Sequence, residues 1–410
     1  MASATCRFCK APLSESFADL GMSPLSNAFL RETQLDAEER FFPLHAYVCG
    51  ECFLVQVEEF ESPDRIFQDY AYFSSFSESW LQHVKDYTAK MTQRFGLGAN
   101  SRVVELASND GYLLQYFKEN GIPVLGIEPA ANVAEIARKK GIPTEVLFFG
   151  EETAGKLLAR GCAATLLVGN NVLAHVPDLN GFVRGMKILL KPDGILTMEF
   201  PHLLRLIEQN QFDTIYHEHF SYFSFFVVER IFAYHGLTVF DVEELPTHGG
   251  SLRIYARHPE RADLPVAGSV SRLRGREKAA GLQDLEVYRS FGERLKRAKR
   301  EVLAFLARAK QEGKRVVGYG AAAKGNTLMN YCAIGSDFIE CVVDRNPHKQ
   351  DLYLPGSHIP IRAPDVIREL KPDYLLILPW NLRAEIMEQM SYIREWGGKF
   401  VTPIPHVEIF

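Results

Sequence analysis

From Arg102 to Arg257, short apolar runs of strand length alternate with stretches of helical character, and this restricts that part of the chain to a parallel α/β sheet. The runs are Val103-Val104 and residues 124–127, 165–168 and 195–200. A second α/β unit starts with a strand at 315–318, a helix over 326–331 and a strand at 339–343, and residues 374–378 and 400–402 read as further strands. Between the two units, the charged stretch 269–314 carries Leu295, Val302, Phe305 and Leu306 at helical spacing, which predicts a polar helix bridging domains. Residues 1–68 are poor in periodicity and rich in turns, and the aromatic segment 70–95 leads into a helix over 80–94. A chain of 410 residues exceeds one ordinary core, so three domains are expected: 1–68, 69–262 and 263–410.

The first region holds Cys6-x-x-Cys9 and Cys49-x-x-Cys52. Spacing of i, i+3 lets two thiolates converge on one tetrahedral ion, and a four-thiolate shell has no position left for substrate. One structural zinc ion is therefore expected, contributing folding free energy to a region short of apolar periodicity. Cys162, Cys332 and Cys341 are isolated and read as core residues.

The first strand of the main unit runs into Arg102-Val-Val-Glu105-Leu-Ala-Ser-Asn-Asp-Gly111, a tight small-residue turn that opens a helix. A dinucleotide fingerprint needs Gly-x-Gly-x-x-Gly so that backbone can approach a pyrophosphate. Here Ala107 and Asn109 stand where glycines would lie, and Glu105 and Asp110 add charge that repels phosphate. This suits a cationic ligand that joins an amino acid to a nucleoside, and S-adenosylmethionine fits both. Glu128 ends the next strand, where a carboxylate accepts from both ribose hydroxyls. Pro129, Gly111 and Tyr112 belong to the same expected cofactor set, together with Asn170 and Asn171 after the following strand. Leu173-Ala-His-Val-Pro-Asp178 and the turn Leu189-Leu-Lys-Pro-Asp-Gly194 complete the order of a class I methyltransferase core.

Tyr216-His217-Glu218-His219 packs a phenol, two imidazoles and a carboxylate into four residues, inside an aromatic run. Seven of the twelve histidines (175, 202, 217, 219, 235, 248 and 258) fall in one stretch around it. Such a cluster is equipped for proton transfer near neutral pH.

Together with Val316-Val-Gly-Tyr-Gly-Ala-Ala-Ala-Lys-Gly-Asn-Thr327, these motifs resemble the sugar C-methyltransferases of deoxysugar biosynthesis. The likeness is to the C-3′-methyltransferases of thymidine-diphosphate-linked 4-keto-deoxysugars, the tetronitrose pathway included, and it spans essentially the whole chain. It implies a zinc-binding module, a Rossmann-like methyltransferase core and a second Rossmann-like unit that takes the sugar nucleotide. Forming a C–C bond from a sulfonium methyl requires a carbon nucleophile, which a ketone provides when a base removes the adjacent proton. His219 is expected to be that base and Glu218 to orient or tune an imidazole. Tyr216 is expected to donate to the ketone or relay the proton, and His175 to assist. In Asp69-Tyr-Ala-Tyr-Phe-Ser74, Tyr70 and Tyr72 would close over the sugar, with Ser74 beside it. His248, Gly250 and Ser251 would approach the substrate, although Gly-Gly also suits an ordinary hairpin turn. The second glycine loop would hold the diphosphate, with Lys324, Asn326, Asp344, Arg345, Lys349 and His358 lining the same crevice.

The formal charge of −5 argues against a broad nucleic-acid or membrane surface, and no apolar run reaches the length of a span. A cytoplasmic monomer acting on a small molecule is expected. The competing readings are an O- or N-methyltransferase, which needs only a mild base, a zinc-ribbon nucleic-acid binder and a nicotinamide-dependent epimerase using the later glycine loop.

Overall fold

The computed structural model describes residues 4–62 and 74–410. Its centre is a seven-stranded sheet in the spatial order Thr238–Leu245, Ser251–Arg257, Leu190–Pro201, Ala164–Asn170, Val103–Leu106, Val124–Ile127, Thr144–Glu145. The last five of these are parallel, and Ser251–Arg257 inserts antiparallel to both neighbours. Strands covered on both faces read as unbroken apolar runs, and Val103, Val104, Leu106, Leu166, Leu167 and Val168 are accordingly all buried. Strand order reverses between Val103–Leu106 and Ala164–Asn170, which opens a crevice at their carboxyl ends.

The helix Glu78–Phe95 packs onto this sheet. Ser77 caps it by accepting from the Trp80 N–H at 3.3 Å, and Gly96 in the left-handed region stops it. Its buried stripe is Trp80, Val84, Tyr87 and Met91.

The turn-rich N-terminal region departs from expectation. Glu15–Ser23, Phe42–Val48 and Val55–Val57 form an antiparallel sheet, whose fourth strand is Ser221–Tyr222 from the aromatic run of the main unit. The expected bridging helix is three helices, Gly268–Ala279, Leu285–Arg289 and Phe291–Gln311. They are packed rather than free: Phe291 stacks on Phe17 of the first sheet at 4.6 Å, and Leu295, Val302, Phe305 and Leu306 are buried. Glu277, fully buried in the first of them, accepts from His202 at 2.7 Å and from the Phe225 and Phe226 backbone N–H groups that open helix Phe225–Tyr234.

The C-terminal unit is a second sheet in the order Ile361–Arg362, Val342–Val343, Val316–Tyr319, Tyr374–Ile377, Lys399–Thr402, Glu408–Ile409, parallel except for its last pair. Cys332 and Cys341 are buried in it, whereas Cys162 is only partly buried, packed at the margin of the main unit's core. Among the described residues, no helix is long and apolar enough to cross a membrane.

Candidate active site

The crevice at the strand reversal widens into a cavity of about 830 Å³, towards the upper end of small-molecule sites. On one side lies the loop after Val103–Leu106, where Ala107, Asn109 and Gly111 all take positive φ. Glu128 holds that loop: its two oxygens accept from the Asn109 and Ala130 backbone N–H groups, both at 2.9 Å. Burial pushes the Glu128 carboxyl up to about 6, against the pull of those two N–H groups. Ala107, Asn109, Tyr112, Glu128, Pro129, Asn170 and Asn171 all line the cavity. Asn171 Oδ1 is buried with no hydrogen-bond partner among the described residues, and the Asn170 amide stands at the Tyr112 hydroxyl, so the wall offers amide N–H and C=O groups to a polar ligand. These donors and acceptors fit a ligand bearing a ribose and an amino-acid group, as S-adenosylmethionine does.

Two expected members of the set stay off the wall. Gly111 serves helix packing, because a Cβ there would come within 2.9 Å of Ile142. Glu105 is fully buried beside the Tyr112 hydroxyl, and burial drives its carboxyl well above the ordinary range. Asp110 is matched by the Lys140 ammonium at 3.0 Å.

Across the cavity stands the aromatic run. The Tyr216 hydroxyl lies 2.8 Å from His219 Nε2, and His219 Nδ1 lies 3.1 Å from the Thr214 carbonyl. A carbonyl can only accept, so Nδ1 carries the proton and Nε2 accepts from Tyr216. Burial, followed by the charges at His175, His248 and Lys324, holds the His219 imidazolium well below its usual range, and the ring is neutral at physiological pH. His175 packs edge-on against it at 4.7 Å and is pushed down to about 4 by burial.

Glu218 does not tune an imidazole through its carboxylate, which accepts from Asn27 of the N-terminal unit at 2.6 Å. Its backbone, instead, is the hydrogen-bond partner of His175. Burial raises the Glu218 carboxyl to about 7.

His248 lines the cavity in the left-handed conformation, 2.9 Å from Asn171 Nδ2, with Trp80 beside it at 5.2 Å. Its loop is tied down by Glu199, which accepts from Thr247, His83 and Arg253. Gly250 and Ser251 belong to the turn: Gly250 N–H and Ser251 Oγ both donate to the Thr247 carbonyl at 2.9 Å, and neither reaches the cavity.

The third wall comes from the C-terminal unit through Ala322, Ala323, Lys324 and Lys349. Asp344 repeats the Glu128 device, accepting from the Ala321 and Asn346 backbone N–H groups at 2.8 Å, so it braces the loop instead of facing the cavity. His358 is spent on Glu39 at 2.9 Å, Arg345 is exposed, and Asn326 is buried behind the loop. Ser74 lines the cavity and its N–H donates to Asn109 Oδ1. Tyr70 and Tyr72 lie outside the described residues.

Of the seven clustered histidines, only 175, 219 and 248 face the cavity. His202, His217, His235 and His258 are bonded to Glu277, the Pro43 carbonyl, Asn180 and the Leu190 carbonyl. Asn27, Trp80, Phe148 and Phe149 line the site without having been singled out. The aromatic ones sit at helix and loop positions where a bulky apolar residue normally signals core.

Remote from the cavity, the four Sγ atoms of Cys6, Cys9, Cys49 and Cys52 lie within 4.8 Å of one another. The two pairs are built alike, with Lys10 N–H donating to the Cys6 carbonyl and Phe53 N–H to the Cys49 carbonyl, each at 2.9 Å and each residue in the left-handed region. Zinc–sulfur bonds of about 2.3 Å place tetrahedral sulfurs roughly 3.8 Å apart, so the cluster fits a Zn²⁺ ion.

Comparison with known proteins agrees with this layout. Residues 6–67 match a family described as a zinc binding domain, residues 80–242 a methyltransferase domain and residues 246–405 a C-methyltransferase C-terminal domain. The C-methyltransferase NovU of Streptomyces niveus is 35% identical over 404 residues, which cover 98% of this chain and 96% of NovU. Among solved structures, magnesium protoporphyrin IX methyltransferase of Synechocystis with bound S-adenosylhomocysteine is 13% identical, with a TM-score of 0.35, over 48% of this chain and 91% of that one. An S-adenosylmethionine-dependent methyltransferase of Clostridium acetobutylicum is 10% identical, with a TM-score of 0.36, over 43% and 92%. On the strength of the match along nearly its whole length, the chain belongs to the S-adenosylmethionine-dependent C-methyltransferase family.

Proposed function

We propose that the enzyme methylates C-3′ of a thymidine-diphosphate-linked 4-keto-deoxyhexose, in deoxysugar biosynthesis, through an enolate made by the Tyr216–His219 pair. The observation that carries this reading is that a neutral imidazole with its acceptor nitrogen on a phenol shares one cavity with Glu128, Asn170 and Asn171. When bound there, S-adenosylmethionine supplies an electrophilic methyl group. Glu128 holds the ribose hydroxyls, and Asn170 and Asn171 hold the amino-acid end. Tyr216 takes the ring proton while passing its own to His219 Nε2, leaving an enolate next to an imidazolium. His175 keeps the His219 ring in place by edge contact, and Glu218, with Asn27, orients the sugar hydroxyls. The loop 320–323 and Lys349 take the diphosphate at the start of helix Ala323–Cys332.

A labelled-methyl experiment tests this. The protein is incubated with isotopically labelled S-adenosylmethionine and a panel of thymidine-diphosphate 4-keto-deoxyhexoses, and the product is located by NMR. Label on the ring carbon at C-3′ supports the reading. Label at C-5′, which the same ketone also acidifies, corrects the position but keeps the chemistry. Label on oxygen or nitrogen overturns it in favour of an O- or N-methyltransferase.

A further inference from the structure

Lys324 and Lys349 both line the cavity, yet they stand in different chemical surroundings. Lys349 Nζ donates to the Ala321 carbonyl at 2.8 Å, lies over the Phe29 ring, and has Asp344 and Glu218 as its charged neighbours. It belongs to the glycine loop. Lys324 reaches the other way. Its Nζ donates to Asn381 Oδ1 at 2.7 Å and lies 4.8 Å above the Trp380 ring. Trp380 in turn donates to Asp213 Oδ2 at 2.7 Å and packs so tightly against Gly249 that a Cβ there would collide with the indole. This clamps the lysine against the loop that carries His248, and the groups that feel its charge are His219, His248 and Asp213.

Of the three N–H donors on the Lys324 ammonium, one has a partner among the described residues, which leaves two for a ligand. Among those residues, no carboxylate lies within ion-pair distance of it. Burial pulls this partly buried ammonium below its ordinary range, the Asp213 charge beyond Trp380 opposes that pull, and negative charge appearing beside Nζ favours the cation further.

We propose that Lys324 is a catalytic residue whose ammonium holds the substrate's ketone oxygen and stabilises the enolate, while the diphosphate is left to the loop 320–323 and Lys349. This rests on the ketone chemistry proposed above and changes the role expected of Lys324 from its sequence context. As the ring C–H bond breaks, its electron pair forms the C=C bond and the carbonyl π pair moves onto the oxygen held by Nζ. The proton goes to the Tyr216–His219 pair. On methylation the pair on oxygen returns to form C=O, the C=C pair becomes the bond to the methyl carbon, the methyl–sulfur bond breaks with its pair left on sulfur as a neutral thioether, and Lys324 stays protonated throughout. The same cation that disfavours an isolated His219 imidazolium thus favours the enolate–imidazolium pair.

The test uses the full-length zinc-loaded enzyme, thymidine-diphosphate 4-keto-6-deoxyglucose and deuterium oxide, without methyl donor, and follows exchange of the ring proton next to the ketone by NMR. Binding of thymidine diphosphate is measured in parallel. Lys324→Met is expected to slow exchange and kcat by about 10²–10³-fold, the usual loss of one oxyanion donor, with thymidine diphosphate affinity changed no more than about threefold. Lys349→Met is expected to do the reverse. Lys324→Gln, which keeps a donor for Asn381, serves as the second variant, and unchanged S-adenosylmethionine affinity in either variant shows the fold is intact. Wild-type exchange rates in both Lys324 variants, or a loss of thymidine diphosphate affinity alone, would overturn the assignment. Absence of exchange in the wild-type protein would instead overturn the ketone chemistry, and Lys324's role with it.

Discussion

The Tyr216 hydroxyl donates to His219 Nε2 at 2.8 Å because the Thr214 carbonyl fixes the proton on Nδ1. The acceptor nitrogen is thus engaged by the phenol, and both side chains line the cavity. Under the proposed relay, Tyr216→Phe removes the path while leaving the ring in place, and a loss of about 10²-fold or more in kcat is expected, within the range of general-base effects. His219→Asn should abolish turnover altogether. Both variants should bind S-adenosylmethionine as the wild type does, measured by calorimetry. A His219→Asn protein that loses donor binding would place the histidine in the wrong half of the cavity.

Glu128 has two tasks that its removal would disrupt together. It anchors the Asn109 loop through backbone N–H groups and, in the proposed function, accepts from the ribose. Hydrogen bonds to a charged group contribute about 1.5–3 kcal/mol each, so Glu128→Ala should weaken donor binding by about 10- to 100-fold or more. Binding of thymidine diphosphate should be unaffected. Donor affinity equal to that of the wild type in a calorimetric titration would remove Glu128 from the site.

The zinc-binding cluster is tied through the fold to the side of the cavity that carries Glu218 and His219. The four thiolates close the sheet that includes Ser221–Tyr222, two residues beyond His219, and the same unit presents Asn27 to Glu218. Metal analysis should find one zinc per chain, and Cys52→Ser or strong chelation should lower the melting temperature. Turnover should fall as the metal is lost, with donor affinity in the surviving folded core changing less. Full activity in metal-free protein would separate the cluster from the site.

How much of this was legible beforehand depended on how each residue reaches its place. The central sheet could be read because strands buried on both faces leave apolar runs, as at Leu166, Leu167 and Val168. The N-terminal strands could not: Glu15–Ser23 carries two register shifts, which break the alternation that would have marked it. Glu128, Asn170 and Asn171 were legible because strand ends at a reversal of sheet order face the crevice. The same reasoning misplaced Glu105 and Asp344, since a strand-end acid can equally turn into the core or brace a loop. Asn27, Trp80 and the clamp of Asn381 and Trp380 on Lys324 arrive from distant segments, and no local pattern announces such contacts.

Glu218 makes the site sensitive to pH in a direction that can be worked out. Burial raises its carboxyl to about 7 in the folded protein, opposed by the Asn27 hydrogen bond and the Lys349 charge, while an unfolded glutamate titrates near 4.3. Between about pH 4.3 and about 7 the folded state therefore binds more protons at this position than the unfolded state, and Glu218 lowers stability progressively as pH rises through that window. Above the window the cost levels off. Glu218→Gln keeps an oxygen for Asn27 and carries no charge, so it should escape this decline. The melting temperature of the variant, minus that of the wild type, is expected to climb from acid to neutral pH and then stay constant. A difference that stays flat across the window would mean that the carboxyl is ionised in the folded protein at ordinary pH, with Lys349 as its effective counter-ion.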